Sequence, residues 1–246
     1  MSGSDGPLDV SVVVPVYNEV ESVGALVEEI AAALAGRSYE MIFVDDASRD
    51  GTADALRALK AGHPTLRVLR HGANAGQSRA VRTGVLAARA PVVATLDGDG
   101  QNDPADLPAL IDALTRPHAP PKLAMVGGRR ARRQDSAWKR LGSRVGNGVR
   151  RRLLRDQADD TGCGIKAFRR EAFVQLPYFD HLHRFLPALM LREGYEIAFA
   201  DVSHRPRRHG RSKYSNIGRL LASLSDLLGV MWLLRRARRP GDVEEV

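Results

Sequence analysis

A chain of 246 residues, 43% of them hydrophobic, is long enough to bury the core of one large domain with an appended tail. Its formal net charge of +8 points to anionic partners such as nucleotide phosphates or an anionic membrane face, while aromatics at only 5%, with none interleaved among the basic clusters, argue against nucleic acid. Cys163 is the single cysteine, which excludes an intrachain disulfide and a cysteine-rich zinc site, and a reducing compartment fits best; MSGSDGPLD carries neither region of a signal peptide.

Val10 to Val14 reads as a strand ending at Pro15, and Val16, Tyr17, Asn18 and Glu19 turn into a helix over about 20–35, with Val23, Leu26, Val27, Ile30 and Leu34 at helical spacing. Met41 to Val44 is the second strand; Asp45, Asp46 and a turn-rich segment to Thr52 follow it and open a helix to about Lys60. Leu66 to Leu69 is the third strand, followed by HGANAG and a helix over about 77–89. Pro91 to Ala94 is the fourth, running into Thr95 to Pro104 and a helix to about Leu114. Four strand-then-helix units specify a parallel α/β sheet whose ligands sit at the carboxyl ends of its strands. Tyr17 and Glu19, Asp45 and Asp46, and Asp97 and Asp99 therefore converge on one crevice. Neither a G-x-G-x-x-G after the first strand nor a P-loop is present, so a nucleotide bound here is held through base and ribose, with a metal on its diphosphate.

The stretch TLDGDGQNDP is the centre of that crevice. Asp97 and Asp99, one residue apart where the strand ends, and the amide of Gln101 offer hard oxygen ligands to Mg²⁺ or Mn²⁺, with Gly98 and Gly100 letting the chain turn. The plainer alternative is a solvated acidic turn, and Asp103 before Pro104 is a helix N-cap in either case.

The second half is less regular. After a proline-rich loop, Lys122 to Val126 is a strand closed by Gly127, Gly128, Arg129 and Arg130, and a basic segment to Arg155 is mostly helical from about Trp138. DDTGCGIKAFRR turns into a strand around Ile165 to Phe168, HRFLPALMLREGY holds a helix to about Arg192, and Ile197 to Val202 is a further strand. Arg205, Arg207, Arg208, Arg211 and Lys213 then surround one glycine in a loop suited to closing over an anion. The tail from Asn216 to Arg239 is an apolar helix ending in Trp232 and an arginine cluster, too interrupted for a membrane span. It suits either the membrane interface or packing on the domain or on a second subunit.

Read together, VVVPVYNE (Val12 to Glu19), VDDASRDGT (Val44 to Thr52), NAG (Asn74 to Gly76) and LDGDGQ (Leu96 to Gln101) resemble the family 2 glycosyltransferases of GT-A fold. DTGCGIKAF, HRFLPAL and RRHGRSK narrow the likeness to polyprenyl-phosphate glycosyltransferases of the dolichol-phosphate mannose synthase type, over about Val10 to Tyr214. The resemblance implies a Rossmann-like, mostly parallel sheet flanked by helices, and the following layout: a tail over 1–9, a catalytic domain over 10–214, an amphipathic membrane-interface or docking helix over 215–239, and a tail over 240–246. Pro15, Tyr17 and Glu19 then border the base and ribose, with Asp46 or Asp45 reaching the base. Asp97 lies near the ribose or the metal, and Asp99 and Gln101 are direct ligands of Mg²⁺ or Mn²⁺. Arg207 and Lys213 contact the donor diphosphate or acceptor phosphate, while Arg129 and Ser143 are placed near the acceptor phosphate.

The activity so implied is inverting transfer of one sugar (mannose, glucose or a related hexose or uronic acid) from a GDP- or UDP-sugar to a polyprenyl phosphate at the cytoplasmic membrane face. An acceptor phosphate is already an anion near neutral pH and needs no general base. Many relatives carry transmembrane helices after the catalytic domain; a peripheral tail or a separate membrane-anchor protein takes their place here. Two alternatives are a family 2 transferase acting on a saccharide hydroxyl, with Asp160 as base, and a nucleotide-sugar-binding or membrane-adaptor protein without turnover. The sequence does not choose the sugar.

Overall fold

In β1 (Val10–Val16) every residue is buried, because successive side chains point to opposite faces and both faces of the sheet are covered. Val10, Val12, Val14 and Val16 enter one hydrophobic core with Val23, Leu26, Val27 and Ile30 of α1 (Val20–Ala33), whereas Val13 enters the core on the other side. β2 (Tyr39–Asp45) repeats the division, Met41 and Phe43 on the first side and Ile42 and Val44 on the second. The computed structural model describes residues 6–130, 152–154, 156, 158, 162–203, 205 and 216–238, with only the helical backbone described for 216–223.

β3 (Leu66–Arg70), β4 (Val92–Thr95), β5 (Leu123–Arg130), β6 (Lys166–Arg169) and β7 (Glu196–Val202) complete a seven-stranded sheet in the order β3, β2, β1, β4, β6, β5, β7. β1 pairs in parallel with β2 and β4, β2 with β3, and β5 with β7, while β6 runs antiparallel to both β4 and β5. This is the mostly parallel α/β sheet the motifs imply. The chain moves outward from β1 to β3, then returns through α3 (Gln77–Ala87) to place β4 on the other flank of β1. That reversal creates a crevice between the carboxyl ends of β1 and β4.

α2 (Thr52–Leu59) follows β2, and α4 (Leu107–Thr115) follows a 3₁₀ turn at Pro104–Asp106. The second half adds α5 (Arg170–Val174), which the periodicity does not predict, and α6 (Leu186–Arg192), preceded by a 3₁₀ turn at Leu182–Arg184. α3 stops at Ala87, two residues short of expectation, because Ala88 is extended and the Arg89 amide donates to Glu40 instead. Arginines satisfy the freed carbonyls: Arg170 donates to Val85 and Leu86, and Arg67 to Ala87. Gly127 and Gly128 lie inside β5 rather than closing it, since a Cβ on Gly128 would stand 2.7 Å from Ile165 and 3.0 Å from Cys163 Sγ. Only glycine lets the segment leading into β6 lie so close.

α7 (Asn216–Arg236) is one helix of 21 residues, in place of the predicted end at Arg239. Leu227, Val230, Met231 and Leu234 pack against the second core, and Asp226 pairs with His181 at 2.7 Å. Leu224, Leu228 and Trp232, four residues apart, are 50%, 67% and 59% exposed, so the helix is apolar on a second, outward face. No described helix is long and apolar enough to cross a membrane.

Candidate active site

The two acidic segments that follow β1 and β2 largely bind one another. Asn18, at φ 54°, donates its amide to Ser48 Oγ at 2.9 Å; the Glu19 amide donates to Thr52 Oγ1 at 3.0 Å and the Val20 amide to Asp50 at 3.1 Å. In return the Arg49 amide donates to Asn18 Oδ1 at 2.8 Å. The first amides of α1 are therefore capped by the turn after β2 and not by a side chain of their own segment. Much of the DDASRDGT pattern serves this junction, which holds half-buried Tyr17 and Glu19 at the crevice edge.

Asp46 is committed more deeply. Its Oδ1 accepts the Ala75 amide at 2.9 Å and pairs with His71 Nδ1 at 2.7 Å, its Oδ2 accepts the Gly76 amide at 2.8 Å, and its carbonyl accepts from Asn74 Nδ2. The NAG motif is thus folded around Asp46, with Gly76 at φ 86° opening α3. Asp45 is fully buried; Oδ1 accepts the Ser48 amide, and Oδ2 faces Arg70 Nε at 3.2 Å as an ion pair without making a hydrogen bond.

The turn after β4 has a different character. Asn102, which is buried, accepts the Asp97 amide at 3.1 Å, and Asp99 Oδ1 accepts the Gln101 amide at 3.1 Å, with Gly100 at φ 72°. Gly98 is pressed onto the end of β1: a Cβ there would stand 2.6 Å from Val16 Cγ1 and 2.9 Å from the Pro15 carbonyl. Although Asp97 keeps some solvent access, its carboxyl is pushed up to about 6, first by burial and then by the neighbouring charge of Asp99, against the pull of Lys166, Gln77 and Arg130. Asp103 caps the following turn as expected, accepting the Ala105 amide at 3.0 Å.

Four residues to which the sequence reading gave no role complete this site. Gln77, the first residue of α3, donates to Asp97 Oδ1 at 2.7 Å. Lys166, buried at the start of β6, donates to the Cys163 carbonyl beside Asp97. Gly164 lies against the Asp97 carboxylate, and Thr95 Oγ1 donates to its carbonyl at 2.9 Å. His183 is pushed down to about 3, by burial and by the nearby charges of Lys166, Arg184 and His181, so its ring is neutral at physiological pH. Ser78 Oγ accepts the His183 amide and lies 2.7 Å from Nδ1, an arrangement that favours the tautomer with its proton on Nε2. Pro15, Gln77, Asp97, Lys166 and His183 line a cavity of about 20 Å³, room for one water. NAGQ, DTGCGIK and HRF were visible as motifs; that they meet at Asp97 depends on the strand order.

The donor set suits a hard divalent ion. Asp97, Asp99 and Gln101 are all oxygen donors, and a divalent cation held by them would offset the burial and the Asp99 charge that raise Asp97. No group of three His, Cys, Asp or Glu side chains among the described residues forms a closed cage. Mg²⁺ is commonly held by one or two carboxylates completed by substrate phosphate and water. Arg129, in β5, donates to Asp201 of β7 at 2.7 Å, which holds that carboxyl below its ordinary range. Arg205 is bound to Glu29 and Asp103. Ser143, Asp160, Arg207 and Lys213 lie outside the described residues, as does the helix expected from Trp138 apart from residues 152–154, which are helical.

The glycosyl transferase family 2 model matches residues 11–176. Among curated proteins, the chain is 36% identical over 239 residues to dodecaprenyl-phosphate galacturonate synthase of Rhizobium johnstonii, covering 95% of this chain and 70% of that protein. It is also 36% identical over 230 residues to undecaprenyl-phosphate 4-deoxy-4-formamido-L-arabinose transferase of Pseudomonas aeruginosa, covering 92% of this chain. The chain spans 66% of the length of that second relative. Two solved structures share the fold at low identity. Glucosyl-3-phosphoglycerate synthase of Mycobacterium tuberculosis, in complex with Mn²⁺, UDP and glucosyl-3-phosphoglycerate, has a TM-score of 0.70 at 19% identity, covering 95% of this chain and 82% of that one. A mannosyltransferase of Pyrobaculum calidifontis, in complex with GDP-Man and Mn²⁺, has a TM-score of 0.67 at 20% identity, covering 96% and 67%.

Proposed function

We propose that this chain, which belongs to glycosyl transferase family 2 and is a glycosyltransferase, moves a single sugar from a nucleoside-diphosphate sugar to a polyprenyl phosphate at the cytoplasmic membrane face. The observation that carries the reading is the 36% identity that extends over 95% and 92% of the chain to two transferases named for polyprenyl-phosphate products or acceptors. The donor half is supported by the carboxylate turn at the switch point of the sheet, where α/β folds bind nucleotides.

In this reading Asp99 and Gln101, with Asp97 beside them, hold Mg²⁺ or Mn²⁺. The ion, when bound, neutralises charge that develops on the departing nucleoside diphosphate. Tyr17, Glu19 and Pro15 border base and ribose. Asp45 and Asp46, one of which reaches the base in this reading, are both engaged by the chain itself: both oxygens of Asp46 hold the NAG turn, and Asp45 is buried with its Oδ2 facing Arg70. Gln77 fixes the Asp97 carboxylate, and neutral His183 presents an N–H to the same cavity without adding charge. The acceptor phosphate attacks the anomeric carbon with inversion and needs no proton removed, so the task of the chain is to bring two anions together. Arg129, which exchanges Asp201 for phosphate, and Ser143, Arg207 and Lys213 serve that task. The outward face of α7, Leu224, Leu228 and Trp232 followed by Arg235 and Arg236, lies on the membrane surface, where a separate anchor protein is a further partner.

The test is purified protein with a panel of GDP- and UDP-sugars, a short-chain polyprenyl phosphate, and Mn²⁺ or Mg²⁺. A glycolipid extractable into organic solvent with at least one donor is expected, lost in Asp99→Ala while the protein stays folded. No product with any donor overturns the lipid acceptor, and unaltered turnover in Asp99→Ala overturns the role of the turn.

A further inference from the structure

Ser203 and Arg205, at the exit of β7, tie it to the turn between Asp99 and Asp106 and to α1. The Ser203 amide donates to Asp106 Oδ2 at 2.8 Å, and the Arg205 amide donates to the Gln101 carbonyl at 3.0 Å. The Arg205 guanidinium then divides between two carboxylates, Asp103 at 2.7 Å and Glu29 of α1 at 2.6 Å. Gln101 is thereby held from both sides of its backbone, its amide by Asp99 Oδ1 and its carbonyl by Arg205. Asp103 in turn caps the helical turn that ends the motif. Removing the guanidinium leaves Glu29, Asp103 and Asp106 facing one another without their cation, and the repulsion falls on the segment that carries Asp99 and Gln101.

We propose that Arg205 is a positioning residue for the cation site: by bridging Glu29 and Asp103 and holding the Gln101 carbonyl, it fixes the orientation in which Asp99 and Gln101 present their oxygens. The proposal rests on the reading of this turn as the site of the donor's divalent ion. Arg205 touches neither ion nor donor. Its effect belongs with that of outer residues that orient metal ligands, whose replacement costs roughly 10- to 100-fold in affinity.

The experiment measures Mn²⁺ affinity by electron paramagnetic resonance in the presence of UDP, and separately of GDP, for wild type, Arg205→Ala, Arg205→Lys and Asp99→Ala. Thermal melts establish that each sample is folded at the measuring temperature. Arg205→Ala is expected to weaken Mn²⁺ binding about tenfold. Arg205→Lys, which keeps the charge but not the fork, is expected to fall between it and wild type, and serves alone if the alanine variant does not fold. Wild-type Mn²⁺ affinity in a folded Arg205 variant with a lowered melting temperature overturns the inference and leaves a merely structural bridge. Wild type that binds no Mn²⁺ with either nucleotide overturns both the reading of the turn and the inference. Loss in Asp99→Ala with no change in the Arg205 variants overturns the inference alone.

Discussion

Gly164→Ala tests the position of the Asp97 carboxylate without changing an acidic residue. A Cβ at 164 would stand 2.1 Å from Asp97 Oδ2, 2.3 Å from Cγ and 2.6 Å from Oδ1, where real contacts do not fall below 3.0 Å. Gly164 cannot easily yield, because its carbonyl accepts from Thr95 Oγ1 and the next residues enter β6, pinned between β4 and β5. The carboxylate must therefore retreat by about 0.9 Å, breaking its 2.7 Å hydrogen bond from Gln77. A displacement near 1 Å in a catalytic array costs on the order of 100-fold in rate, whereas the lost hydrogen bond costs stability only about 1 kcal/mol. The assay is metal-dependent sugar transfer under steady state, beside a denaturation curve. Gly24→Ala is the control: it lies inside α1 with nothing within 4 Å of the added carbon, so activity holds and stability rises slightly. A folded Gly164→Ala protein with wild-type kcat/KM refutes the placement of Asp97 at the reacting centre.

Two further outcomes follow from groups outside the crevice. Burial pushes Glu40 up, but hydrogen bonds from Ser11, Arg67 and the Arg89 amide outweigh it, so its carboxyl sits below 4.5 in the folded protein. A lowered folded value contributes stability above the unfolded pKa that is lost as pH falls through the folded one. Glu40→Gln is thus expected to cost about 2 kcal/mol at pH 7 by urea denaturation, on the scale of hydrogen bonds to a charged group, and progressively less as pH falls from the ordinary carboxylate value through the lowered folded one; a penalty that stays constant or grows on acidification contradicts this. The outer face of α7 is tested by Leu228→Glu combined with Trp232→Glu. Sedimentation with phosphatidylglycerol vesicles is expected to fall at least about tenfold, since burying each of these side chains is worth roughly 1.5–3 kcal/mol, and equal binding by the double variant removes α7 from the membrane surface.

The first half of the fold was legible because two periodicities alternate there without interruption. Short valine-rich apolar runs bounded by turn residues mark strands buried on both faces, and the 3.6-residue stripe marks α1. Strand direction in the second half was not. A strand is legible around Ile165 to Phe168, close to the observed β6, yet nothing local says that it enters antiparallel between β4 and β5. That insertion is what brings Gly164 and Lys166 to Asp97. Gln77 was hidden for a similar reason, since a glutamine at a helix start acquires a partner only when the crossover places that end beside β4. The two glycines of β5 read as its end in the sequence, because a close approach from another segment leaves no mark on the residues it approaches.

Aspartates that look alike in the sequence separate once their partners are counted. Asp46 and Asp50 each accept backbone amides from a neighbouring turn, and Asp103 caps its own helical turn while pairing with Arg205. Carboxylates so engaged hold loops in place, and their negative charge is already balanced by donors of the chain. Asp97 differs in sign as well as in partners: burial and Asp99 push it toward protonation, while Asp50 is held below its ordinary range by the Thr52 hydroxyl and the amides around it, against its own burial. A folded chain that places two carboxylates within mutual repulsion at the rim of a sheet, with Lys166 only partly offsetting them, keeps an arrangement that a divalent ion stabilises. The loops around Asp46 and Asp50 need no such ion. The acidic character of the crevice is thus two things, a scaffold of aspartates held by neighbouring amides, and one pair, Asp97 and Asp99, whose repulsion adds to burial in raising the Asp97 carboxyl.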